Sequence, residues 1–113
     1  MAFVLDASVA AAWVVPSQAT AYTRSIRLRA KREPYHVPAL FAAEVTNVLV
    51  SLQRRSILSE AGAAAAADVL GRLAPIVHPL DMSVAALRDL ANRHKLTAYD
   101  AVYLALAMQL RLP

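Results

Sequence analysis

Short apolar runs alternate with longer stretches in which apolar residues recur at helical spacing. Residues 2–5 (Ala-Phe-Val-Leu) form one such run, closed by Asp6-Ala7-Ser8, the pattern of a buried strand followed at once by a helix start. The first helix is predicted over 7–14 and must stop before Pro16. Ser17 is placed to cap a second helix reaching about residue 31, which Pro34 breaks. His36-Val37 reads as a short strand, and a long helix is expected from Pro38 to about Arg54, with proline in its first turn. Ser59-Glu60 opens a helix to about Leu73 through the alanines of 63–67. Ile76-Val77-His78 is a third strand candidate, Asp81 or Ser83 caps a helix to about His94, and Thr97 introduces a last one ending near Leu112.

Strands that alternate with helices predict an α/β fold, a central parallel sheet covered by helices on both faces. At 113 residues the chain is expected to be a single domain, residues 1–113, with no internal repeat and no linker. Hydrophobic residues make up 58% of it, much of the excess alanine, which suggests closely packed helices and a buried subunit interface. Cysteine is absent, which excludes disulfides and thiolate metal sites and suits a reducing compartment. The longest apolar stretches reach about ten residues, short of the ~18 that would span a bilayer. No basic segment precedes the first apolar run, which argues against a secretory signal. A soluble cytoplasmic protein without a membrane partner is the expectation.

Net charge is +4, and the cations are unevenly placed. Arg24, Arg27, Arg29, Lys31 and Arg32 crowd one stretch, with Arg54-Arg55 and Arg93-His94-Lys95 further on. Such clusters fit contact with a polyanion, or else a solvated face.

Three acids interrupt apolar runs, where a carboxylate is costly unless it is paired or bound to a cation. Asp6 ends the first run, Glu44 interrupts Leu40–Val45, and Asp100 opens Ala101–Ala107. Convergence on one divalent metal accounts for all three together. Each also has a plainer reading. Asp6 is placed to be an N-cap, Glu44 to reach solvent or a nearby arginine, and Asp100 to close a capping box with Thr97. Ser8 can donate to Asp6, and Asn47 lies at i+3 from Glu44, in position to orient it. Asp81 reads as a cap and Glu33 as a solvated position. His36, His78 and His94 share no ligand spacing such as i, i+4, so no zinc site is expected. No glycine-rich phosphate loop is present. A receiver-type phosphoacceptor domain would need adjacent acids after its first strand, and Asp6 has no acidic neighbour.

Asp6-Ala-Ser, Glu44-x-x-Asn47 preceded by Pro38-Ala39-Leu40, and Ala98-Tyr99-Asp100-Ala101-x-Tyr103-Leu104-Ala105-Leu106-Ala107 occur in a distinctive order. Together they resemble the PIN-domain ribonucleases, especially the toxins of VapBC toxin–antitoxin modules. The resemblance implies a three-layer α/β/α fold with a parallel sheet of four or five strands. It implies Mg²⁺ or Mn²⁺ held by Asp6, Glu44 and Asp100, with Ser8, Asn47 and Thr97 as polar supporters. It further implies hydrolysis of RNA. The basic residues, with Arg24, Arg27, Arg29, Lys31 and Arg32 as first candidates, would hold the RNA backbone, and single-stranded or looped RNA suits a groove between helices. Such toxins usually form homodimers and are silenced by a cognate antitoxin. Members typically continue past a Leu-x-x-Pro-like segment into a strand and a Thr-x-Asp motif, whereas this chain ends at Pro113. The expectation is therefore a PIN-like fold short of its last strand. A rival reading is a catalytically impaired domain that dimerises and binds an antitoxin.

Overall fold

A computed structural model describes residues 2–113. Its elements in chain order are β1 (Phe3–Val4), α1 (Ala7–Val14), a 3₁₀ turn (Pro16–Gln18), α2 (Ala21–Ala30), β2 (Tyr35–Pro38), α3 (Phe41–Arg54), α4 (Glu60–Gly71), β3 (Ile76–His78), α5 (Val84–His94) and α6 (Ala98–Leu110). The sheet is wholly parallel in the order β1-β2-β3, with Phe3 opposite Tyr35 and His36 opposite Ile76. Three strands are formed among the described residues, against the four or five implied by the resemblance. On its outer side β1 meets the chain end, where the Val4 amide donates to the Pro113 carbonyl at 2.9 Å.

Period-two alternation divides the sheet's side chains between two faces. Phe3, Leu5, Tyr35 and Val37 join the main core with Ala10, Phe41, Val45, Leu49, Ala66 and Leu70 of α1, α3 and α4. The α5–α6 layer carries a smaller cluster of Leu90, Ala91 and Ala101, and α6 packs on β1 and β2. The result is the three-layer arrangement that alternating strands and helices predict.

Two helix starts differ from expectation. Ser17 caps no helix; it lies in the 3₁₀ turn whose first residue is Pro16, a position suited to a residue without an N–H. Helix α2 begins later, where Thr20 accepts from the Thr23 amide at 3.1 Å and Thr23 accepts from the Thr20 amide at 2.9 Å. This reciprocal box uses a threonine where Glu or Gln is customary. Pro38 is the last residue of β2 rather than the start of α3, and it brings no N–H to a further rung. Asp81 caps nothing, since Ser83 serves α5.

Helix α2 is fastened to the body through its polar groups. Trp13 Nε1 donates to the Thr23 carbonyl at 2.8 Å, and Arg27 donates to the Trp13 carbonyl at 3.0 Å. Arg29 forms a two-pronged pair with Glu33, 3.0 and 3.1 Å, and its guanidinium lies 4.7 Å from the Phe3 ring centroid. Glu33 is thus a paired group and not a merely solvated one; chiefly through the bond from Arg29, its carboxyl titrates at about 2.

Candidate active site

Parallel strands aim their carboxyl ends, and the helices that follow them, at a common edge. Asp6 stands at that edge, one residue beyond Leu5 and at the N-cap position of α1. Its backbone is extended (φ −82°, ψ 145°), but its side chain makes no capping bond. Instead Oδ2 accepts a hydrogen bond from the exposed Ser8 hydroxyl. Asp100 is the third residue of α6. Its amide donates to Thr97 Oγ1 at 3.1 Å, while no return bond from its own carboxylate completes a capping box. Both acids occupy capping positions and leave their carboxylates uncommitted to the cap.

Glu44 lies in the first turn of α3 and is half-buried. Its Oε1 is buried without a hydrogen-bond partner, as is the hydroxyl of buried Tyr103. Burial raises the Glu44 carboxyl above its ordinary value, the neighbouring Tyr103 hydroxyl opposes the rise, and the charges of Asp6 and Asp100 add to it. Tyr103 is pushed upward as well, by burial and by the Glu44 charge. The hydroxyl is therefore near enough to act on Glu44, although the two do not meet in the geometry of a completed hydrogen bond.

Glu44 thus feels the charges of both Asp6 and Asp100, with Ser8 bonded to Asp6 and Thr97 at the start of α6. Asn47 is exposed, makes no hydrogen bond to Glu44, and lines a shallow surface with Ala43, Thr46 and Arg54. One turn along a helix aligns two Cβ atoms, but the Glu44 carboxyl bends inward to Tyr103 while Asn47 stays in solvent. Tyr103 is the group that sequence reasoning missed as a partner of Glu44. Its place three residues after Asp100 on an apolar helix was the available signal.

Among the described residues, no three His, Asp or Glu side chains stand close enough together to hold a metal ion as they are placed. Like charges that share a site repel, so carboxylates spread unless a cation draws them together. In kind the groups do fit a hard cation: three carboxylates, one with an orphaned buried oxygen, are the oxygen donors that Mg²⁺ or Mn²⁺ takes.

A cleft of about 130 Å³ leads away from Asp6, past Val9, to Tyr22, Ile26 and Arg29 of α2. Tyr22 is two-thirds exposed there. Of the basic stretch, Arg29 is committed to Glu33 and Phe3 and Arg27 to a carbonyl, whereas Arg24, Lys31 and Arg32 extend into solvent. No helix is long and apolar enough to cross a membrane.

Compared with known families, the chain matches the profile described as PIN domain over residues 3–113. Domains of that type are generally metal-dependent nucleases that act on RNA. No curated protein matches the chain.

Proposed function

We propose that this chain, which belongs to the PIN-domain family, is an endoribonuclease dependent on Mg²⁺ or Mn²⁺ and acts as the toxin of a VapBC-type toxin–antitoxin module. The observation that carries the reading is Glu44 Oε1, a buried carboxylate oxygen with no partner, next to the charges of Asp6 and Asp100. A polar group that costs stability and satisfies nothing in the fold is the signature of a group kept for a ligand.

Asp6, Glu44 and Asp100 would hold the cation, which when bound supplies a Lewis acid and lowers the pKa of a coordinated water. Ser8 fixes the rotamer of Asp6 by donating to Oδ2. Thr97 fixes the first turn of α6, and with it the position of Asp100. Tyr103, itself buried, places its hydroxyl beside Glu44 and favours the charged carboxylate there. The cleft toward α2 gives a single strand a path, with Tyr22 as a stacking face and Arg24, Lys31 and Arg32 as phosphate contacts. Single-stranded or looped RNA suits such a path, because its bases are free to splay. The protein would work in the cytoplasm as a homodimer of single domains, residues 1–113.

Asp6→Asn and Asp100→Asn change one oxygen to an amide each and keep the shape. Both should reduce Mg²⁺-dependent cleavage of a single-stranded RNA by at least roughly 100-fold while the circular dichroism spectrum stays unchanged. Undiminished cleavage by both folded variants overturns the assignment.

A second reading, a domain that binds an antitoxin and dimerises without strong catalysis, has an observation in its favour. A groove of about 310 Å³ between α3, α4 and β3 is lined by Val37, Phe41, Val45, Leu49, Leu70 and Val77. Apolar concave surfaces of that kind take amphipathic partner segments. The same cleavage assay separates the two readings, since a binding module leaves RNA intact at every Mg²⁺ and Mn²⁺ concentration.

A further inference from the structure

We propose that His36 and His78 form a two-imidazole site for a divalent transition ion of the copper or nickel type, separate from the acidic cluster. The two residues stand on adjacent parallel strands. Pro38 is the register partner of His78, which makes His36 its diagonal neighbour on the same face of the sheet. That face looks toward α6, because Val37 and Val77 between them line the groove on the opposite side. His36 Nδ1 and His78 Nε2 are 2.8 Å apart, with ring centroids 5.0 Å apart and planes tilted by 38°. One imidazole donates to the other through a single shared proton.

A metal ion bound by both nitrogens would release that proton to solvent and sit to one side of the line joining them, each ring turning its lone pair toward the ion. With metal–nitrogen bonds of about 2.0–2.1 Å, nitrogens 2.8 Å apart subtend about 85–90° at the ion. That is the cis angle of square-planar and octahedral complexes, the geometries of Cu²⁺ and Ni²⁺. A tetrahedral ion would need the nitrogens about 3.3–3.4 Å apart, so zinc fits the pair less well.

The surroundings suit a ligand role. The pair lacks a third side-chain ligand among the described residues, which leaves the remaining positions to water. A cavity of about 20 Å³ adjoins His78, with Pro38, Asp81 and Gln109 on its walls, room for about one water or ion. Only Glu44 Oε1 and Tyr103 OH are buried without partners among the described residues, so water reaches the outer ring nitrogens of both histidines. Those nitrogens supply the second-shell bonds that ligating histidines need. Burial and the neighbouring ring both hold His36 toward its neutral, ligating form. β3 is an edge strand, so an ion across the pair would fasten it to β2.

The test is titration of the full chain with Cu²⁺ alone, followed by electron paramagnetic resonance and by the thermal midpoint. Wild type should take one equivalent, show hyperfine coupling to two imidazole nitrogens, and gain about 5 °C or more in Tm at saturation. His36→Gln and His78→Gln should each weaken binding by more than roughly tenfold, the least expected for loss of a ligand when outer-shell losses already reach that size. His94→Ala and Asp100→Asn should bind as wild type does. Binding that survives both Gln substitutions, or that falls with Asp100→Asn, overturns the proposal. So does a wild-type spectrum with fewer than two imidazole nitrogens, a result that stands even if the Gln variants fail to fold.

Discussion

On the proposed function, Glu44 gives up stability for metal binding. Its carboxyl is held above the unfolded value of 4.5, first by burial, with Asp6 and Asp100 adding to the effect. The fold therefore disfavours the charged form. Wild type has its full stability from this group below pH 4.5 and loses it as pH rises through the raised folded value. Glu44→Gln removes the titration, and its amide can donate to the Tyr103 oxygen that now lacks a partner. The variant should be more stable than wild type by about 1 kcal/mol at pH 7, measured by urea unfolding, and should lose RNA cleavage. Mg²⁺ should raise the Tm of wild type and leave that of the variant nearly unchanged. Equal pH dependence of stability in the two proteins would show that Glu44 does not carry the strain assigned to it.

Elements explain how the chain accommodates three acids whose charges reach one another. Asp6 is at the N-cap of α1, Glu44 in the first turn of α3, and Asp100 in the first turn of α6. Each carboxylate thus meets a helix end whose free amides carry positive partial charge. The same placement that makes these acids good caps also eases their mutual repulsion, and the sequence shows both the capping and the proposed metal role without choosing between them. The hydrogen bonds decide: the Asp6 and Asp100 side chains make no capping bond. Strand and helix order was legible because the apolar runs are short and the breaks at Pro16, Pro34 and Ser59 are strong. The start of α2 was not, because Thr20-x-x-Thr23 replaces the usual acid or amide, and Ser17 offered a plausible hydroxyl after a proline. Thr20→Ala should accordingly cost about 1 kcal/mol in thermal or urea unfolding, and Ser17→Ala should stay within about 0.5 kcal/mol of wild type. The reverse order would restore Ser17 as the cap. The meeting of His36 with His78 was equally hidden, since spacing within one segment says nothing about registry between strands.

At the scale of the whole molecule, the +4 charge acts as a field, yet its sources differ in what they are free to do. The sequence presents Arg24 to Arg32 as one basic patch, and the structure divides it. Arg29 lies over Phe3 and grips Glu33, so its charge is spent on fastening α2 to the sheet. Arg24 remains exposed on α2, which walls the cleft leading to Asp6, and Lys31 and Arg32 are exposed just past the end of that helix. Counterion release makes their contribution to RNA binding measurable, since each phosphate neutralised on a single strand adds about 0.7 to the slope of log K against log salt. Replacing Arg24, Lys31 and Arg32 together by alanine should lower that slope by about 2 and weaken binding, with Tm close to wild type. Arg29→Ala should do the opposite: it should lower Tm, because a half-buried stem and a two-pronged pair are lost, and leave the slope nearly unchanged. If the triple variant kept the wild-type slope in filter-binding assays across 50–200 mM salt, the RNA path would lie on another face. The Arg54-Arg55 and Arg93-His94-Lys95 clusters would then be the remaining sources of attraction.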